Sequence, residues 1–259
     1  MRGLDGKVIV VAGGGTGDAG PGNGAATAMR LADEGARVVV GDLSGAAAAR
    51  TVALVEARSG DAIAHEFDIA DDASVRALVD RAVDHYSAVD GLHVNAADMS
   101  PEVLGVDSET DLLTIPLGVW QRTLDVNLTG FLLMARAVIP HLLERGGGGI
   151  TNTVSDAIHA GERVRVAYAT TKTALIGVTH HIASRWGRDG IRCNSISPGI
   201  IARDDDTAAN LAETNRREPR APRAGRPDDV AALAAYLLSD DGAWVNGQVW
   251  SVNGGRFLT

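Results

Sequence analysis

Short apolar runs of strand length recur along this chain, separated by longer segments whose apolar residues return every three or four positions. The runs fall at 7–12, 37–41, 62–67, 91–95, 149–154, 191–197 and 248–252, and the segments of helical period at 24–34, 45–59, 73–87, 117–144, 167–188 and 227–238. Such alternation marks stacked βαβ units, whose consecutive strands run parallel. The expectation is an α/β fold: a doubly wound, seven-stranded parallel sheet with helices on both faces. Helix starts are signalled by Asp72 or Ser74, and by Pro227 with Asp228 and Asp229 in a first turn. No linker rich in Pro or Ser divides the chain, and 146–149 reads as a turn into a strand, so residues 1–259 are expected to form a single domain. Two stretches break the pattern, 98–116 and 202–225. Both follow strands at the carboxyl edge where open sheets bind ligands, which makes them candidate substrate walls and makes 202–225 a candidate lid.

Composition narrows the function. The 259 residues are 45% hydrophobic, enough for one large core, and the net charge of −9 argues against nucleic acid or anionic membrane as a partner. Cys193 is the only cysteine, so no intrachain disulfide forms and a cytoplasmic setting is expected. The apolar stretch at 8–12 is too short for a signal sequence or a membrane span. None of the seven histidines are paired at the helical spacing of a zinc motif, and no catalytic metal is expected.

The first strand runs into Gly13-Gly14-Gly15-Thr16-Gly17-Asp18-Ala19-Gly20-Pro21-Gly22-Asn23-Gly24. Glycines at a strand-to-helix turn let backbone N–H groups approach a pyrophosphate, and the following helix dipole favours its charge. A plain flexible turn has the same composition. Support for the first reading comes from Asp42, which ends the second strand about twenty residues after the loop, as a Rossmann-type dinucleotide fingerprint requires. A carboxylate there accepts both ribose hydroxyls and repels a 2′-phosphate. No Lys or Arg stands between Lys7 and Arg30, and Leu43 and Ser44 follow Asp42, so NAD is expected rather than NADP. Gly13, Gly22, Asn23 and Gly24 are candidates for the pyrophosphate, and Asp42 and Leu43 for the ribose. Asp68 and Ile69 are candidates for the adenine, while Asn95, Ala96 and Ala97 allow close approach of backbone to cofactor.

Tyr168 and Lys172 stand four residues apart near a helix start, hence on one face. A free phenol titrates near ~10, and a cation held close favours the phenolate, which suits proton transfer near neutrality. Ser155, at the end of the fifth strand, carries a hydroxyl able to hold a substrate oxygen beside the tyrosine.

Together these residues make the chain similar to the short-chain dehydrogenase/reductase family, from Lys7 nearly to the end. Tyr168-Ala169-Thr170-Thr171-Lys172 matches the family's Tyr-x-x-x-Lys, Ser155 falls at its serine spacing, and Asn127 in Asp125-Val126-Asn127-Leu128-Thr129-Gly130 matches its asparagine. The resemblance implies an NAD-dependent oxidoreductase that interconverts a secondary alcohol and its ketone by hydride transfer. Tyr168 would exchange the hydroxyl proton and Ser155 would polarise the substrate oxygen. Lys172 would bind the nicotinamide ribose and lower the tyrosine pKa, and Asn127 would hold a water linking Lys172 to solvent. The segment 194–201 resembles the stretch that contacts the nicotinamide carboxamide through the Ile201 backbone, with Pro198 beside it in the cofactor site. The final stretch, 247–255, resembles a last strand that packs across a two-fold axis, which implies a homotetramer or dimer.

Several positions depart from the family pattern. Ala12 replaces a threonine, about five extra residues enlarge the glycine loop, and Asp18 within them is expected to face solvent, since a pyrophosphate would repel it. Val94 and Ala97 replace an asparagine and a glycine, and Arg203 stands where a threonine is frequent. Residues 156–159 and 98–101 are expected to line the substrate pocket. Arg203 and the arginines at 216, 217, 220, 223 and 226 could read a phosphate or carboxylate, or simply be solvated. Two other functions fit the same pattern: a 3-oxoacyl reductase of lipid metabolism, which Asp42 and the negative charge disfavour, and a catalytically silent NAD-binding regulator or scaffold.

Overall fold

The first strand sets the layering. Val8, Val10 and Ala12 face one side of the sheet and Ile9 and Val11 the other, and all five are buried. A strand covered on both faces reads as a continuous apolar run, as this one does. In a computed structural model describing residues 1–202 and 220–258, seven strands form one parallel sheet. They are β1 (Val8–Ala12), β2 (Arg37–Asp42), β3 (Asp61–Glu66), β4 (Gly91–Val94), β5 (Gly148–Thr153), β6 (Ile191–Pro198) and β7 (Val249–Val252). Their order is β3-β2-β1-β4-β5-β6-β7. The chain winds outward from β1 to β3, then crosses back to β4 and winds the other way. Ala12 pairs with Gly41 on one side and Val94 on the other, so the connections leaving β1 and β4 part at that edge and open a crevice.

Helices α1 (Asn23–Asp33) and α2 (Gly45–Glu56) cover one face, and α3 (Asp72–Tyr86) covers the other. The expected long helix over 117–144 is divided into α4 (Leu117–Leu124), a wide π turn at Asp125–Thr129, and α5 (Gly130–Glu144). By length and apolarity Leu117–Glu144 would also suit a membrane span. Its apolar side instead carries Phe131, Met134, Val138 and Leu142 into the core. A short α6 (Ala157–Ala160) precedes α7 (Val166–Trp186), and α8 (Pro227–Leu238) joins α1 on the first face.

Helix starts differ in a way that matters for the crevice. Ser44 caps α2 by accepting from Ala47 N–H, and Asp71, rather than Asp72 or Ser74, caps α3 by accepting from Ser74 N–H. The α1 cap is Gly22, which has no side chain to offer, and no acid stands in that first turn. Its N–H groups therefore point into the crevice without a side-chain acceptor.

Candidate active site

The crevice holds two contiguous cavities at the carboxyl edge, of about 480 and 290 Å3, which share Gly13, Asp42, Ala96, Ala97 and Met99. The larger is lined by Gly13, Gly22, Asn23, Asp42, Asn95, Ala96 and Ala97 at one end and by Ser155, Tyr168, Lys172, Pro198 and Ile201 at the other. The smaller is lined by Leu43, Asp68 and Ile69. Gly24 lies behind the wall, where a Cβ would collide with the Gly13 carbonyl. Gly13 itself has φ +78°, and a Cβ there would sit 2.5 Å from Ala96 N. Only glycine fits that turn, because both conformation and space are closed to a side chain.

These residues fit a dinucleotide. Besides the uncapped start of α1, the Asn23 Oδ1 atom beside it is buried without a partner. The Asp42 carboxylate accepts from Gly15 N–H (2.8 Å) and Ser44 N–H (3.1 Å), which orients it at the crevice wall. The enlarged loop leans on α2. The Thr51 hydroxyl donates to Gly14 O (2.7 Å) and contacts Thr16 Oγ1 (2.8 Å), and Arg50 Nε donates to Thr16 O (2.8 Å). Asp18 is fully exposed and turned to solvent, 3.9 Å from Arg50. Arg50 is thus the cation that folding brings to this loop, and Thr16 and Asp18 occupy it.

At the other end, Ser155 follows β5 and shares the wall of the larger cavity with Tyr168, its hydroxyl accepting from Ala157 N–H (3.2 Å). Lys172 Nζ donates to Thr153 O (2.7 Å) and lies 5.6 Å from the centre of the Tyr168 ring. Burial raises the phenol pKa above its ordinary value, with the Ser155 hydrogen bond and the Arg165 charge opposing it. Burial likewise lowers the Lys172 ammonium to about 8. Both groups have lost water, and desolvation disfavours the charged form of each. Asn127, placed by the π turn, accepts from Asp98 N–H (3.1 Å) and donates to Thr171 Oγ1 (3.3 Å). Its amide ties α7 to the exit of β4.

The helix bearing the tyrosine is capped from a distance. Asp107, 1% exposed, accepts from Ala167 N–H (3.2 Å) and Tyr168 N–H (2.9 Å), and its own carbonyl accepts from Arg165 N–H (2.8 Å). Nothing in the sequence spacing points to Asp107, since its partners lie 60 and 61 residues onward.

Of the expected pocket residues, Asp98, Met99 and Ser100 line the cavities, whereas Pro101 and 156–159 do not. Asp156 turns inward to the Ser197 hydroxyl (3.2 Å), Ala157 is buried, and His159 is exposed against the Phe257 ring. Asp98 instead pairs with Arg122 (3.2 Å), which the sequence reading overlooked and which lines the smaller cavity. Arg203, Arg216, Arg217 and the middle of the candidate lid lie outside the described residues. The ends of that stretch meet, Ala202 N–H donating to Gly225 O (2.8 Å). Arg223 pairs with Asp229 (2.7 Å), and Arg220 donates to Gly255 O.

A family model described as enoyl-(acyl carrier protein) reductase matches residues 19–256. A probable short-chain type dehydrogenase/reductase of Bradyrhizobium diazoefficiens is 40% identical over 98% of this chain and 89% of its own length. A D-threitol dehydrogenase of Mycolicibacterium smegmatis is 36% identical over 97% of this chain and 93% of its own length. Among solved structures, a 7α-hydroxysteroid dehydrogenase complexed with NADH and 7-oxo glycochenodeoxycholic acid superposes with a TM-score of 0.87, at 30% identity, over 100% of this chain and 97% of that one. With this fold and these relatives, the chain belongs to the short-chain dehydrogenase/reductase family and is an oxidoreductase.

Proposed function

We propose that the enzyme is NAD-dependent and interconverts a secondary alcohol and its ketone, with Tyr168 as the proton-transfer group. The observation that carries this reading is the grouping of Tyr168, Ser155 and Lys172 at one end of a crevice whose other end presents Asp42. Nicotinamide, when bound, supplies the carrier that takes or returns the hydride at the substrate carbon. In the oxidising direction Tyr168 Oη accepts the hydroxyl proton, and in reduction it returns that proton to the carbonyl oxygen. Ser155 Oγ, on the same cavity wall as the tyrosine, holds the same substrate oxygen beside the phenol. Lys172, still largely protonated at neutral pH, offsets part of the charge that develops on the phenol. Asn127 keeps the α7 turn in register through Thr171.

Asp42 supports NAD over NADP, because its carboxylate lines the crevice and Arg50, the α2 cation beside the glycine loop, already donates to Thr16 O. A homotetramer or dimer is proposed on family resemblance together with Trp244, 99% exposed, and the outermost strand β7, whose Trp250 is 39% exposed. Light scattering on the purified protein tests it.

The function is tested by following NAD+ and NADP+ reduction across secondary alcohols that include polyols, cyclohexanol, hydroxysteroids and hydroxyacyl thioesters. Turnover should appear with NAD+, and Tyr168→Phe should lower kcat at least ~100-fold, the size of a general acid–base contribution, while NADH affinity stays unchanged. Equal turnover in wild type and variant would refute the mechanism.

A further inference from the structure

Three described residues other than glycine have a left-handed backbone: Ser59, Ser87 and Arg165. The two serines follow the carboxyl ends of α2 and α3, where that conformation ends a helix. Arg165 has φ 62° and ψ 41° at the start of α7, where a cap is ordinarily extended. A long side chain adopts this region only when its surroundings hold it there. Here the holding contacts are on three sides. The Arg165 N–H donates to the Asp107 carbonyl, the Asp107 carboxylate takes the next free N–H groups of the helix, and the Arg165 guanidinium meets Glu162 Oε1 at 2.6 Å.

This arrangement brings the Arg165 guanidinium carbon to 5.8 Å from the centre of the Tyr168 ring, nearly the distance of Lys172 Nζ on the same helix. The charged and polar groups facing the phenol are therefore Lys172 from α7, Arg165 and Glu162 from the loop before it, and Ser155 from the end of β5, with Asp107 beneath the first turn. Arg165 favours the phenolate and Glu162 opposes it. Lys172 is fully buried, whereas the Arg165 side chain is 36% exposed, so the two cations act through different surroundings.

We propose that Arg165 is a positioning residue for proton transfer, its left-handed backbone serving to hold a second cation beside Tyr168, with Glu162 limiting how much of that charge the phenol feels. The proposal rests on Tyr168 being the proton-transfer group, and the test separates the two.

Residue 168 is replaced by 3-fluorotyrosine, whose more acidic phenol brings ionisation into a range where the folded protein survives. The ionisation midpoint is then read from the fluorine resonance, with no substrate present. Removing a partly solvated unit charge about 6–8 Å away should raise the midpoint by about half to one pH unit in Arg165→Met. Arg165→Lys should keep most of the wild-type midpoint. Glu162→Gln leaves the Arg165 backbone in place and should move the midpoint down. Circular dichroism confirms that each variant is folded. An unchanged midpoint in folded Arg165→Met, an equal rise in the Met and Lys variants, or a midpoint that fails to fall in Glu162→Gln would each overturn the proposal. If Arg165→Met does not fold, the Glu162→Gln shift decides alone. Failure of the catalytic reading shows separately, as full turnover by Tyr168→Phe.

Discussion

Asp107→Ala should loosen the start of α7 and destabilise the whole chain. In the native state the Asp107 carboxylate is almost wholly buried and satisfies two N–H groups that no side chain of α7 caps. Alanine leaves both without an acceptor. An unsatisfied buried donor costs about 1–3 kcal/mol, and a carboxylate at a helix N-terminus is worth about 0.3–2 kcal/mol, so the loss should be about 1–5 kcal/mol. Asp107→Asn keeps an acceptor oxygen and nearly the same volume while removing the charge, and should lose about 1–2 kcal/mol. Urea unfolding followed by circular dichroism measures both, provided that the slope with denaturant stays constant. Asp107→Ala within about 0.5 kcal/mol of wild type, or no more destabilising than Asp107→Asn, would refute the capping argument.

Asp42→Ala should weaken NADH binding about tenfold or more, the loss of hydrogen bonds to a charged group, and narrow the preference over NADPH; titration of NADH fluorescence checks both. His93 is completely buried between strands, bonded through Nδ1 to Thr151 with Nε2 unpartnered, and burial lowers its pKa to about 4. The unfolded chain then binds the extra proton first, so stability present above about pH 6.5 should fall as pH drops toward 4, by up to roughly 3 kcal/mol. Urea midpoints of wild type and His93→Gln at pH 7 and pH 5 test this, and an equal pH slope in both would remove histidine as the cause.

Much of the site was legible because its parts are local. A glycine loop, an aspartate about twenty residues later and a tyrosine four residues before a lysine are spacings along the chain, and the fold sets all of them around one crevice. The π turn at Asp125–Thr129 left no mark, since one wider turn barely disturbs an apolar repeat. Pocket walls were harder to place. Residues 156–159 adjoin Ser155 in sequence, yet Asp156 and Ala157 turn into the protein, because the Asp156 N–H bonds to Pro198 O and its carboxylate to Ser197.

By itself the sequence determined the alternation of strands and helices, the glycine cradle, and the presence of phenol, amine and hydroxyl at workable spacings. Each is a property of residues near one another along the chain, where backbone periodicity acts. Tertiary structure alone decided that Asp107 caps a helix 60 residues away, that Arg165 reaches the tyrosine ring, and that burial raises the phenol. Capping and desolvation depend on which distant surfaces exclude water from a group, and one-dimensional spacing carries no record of that.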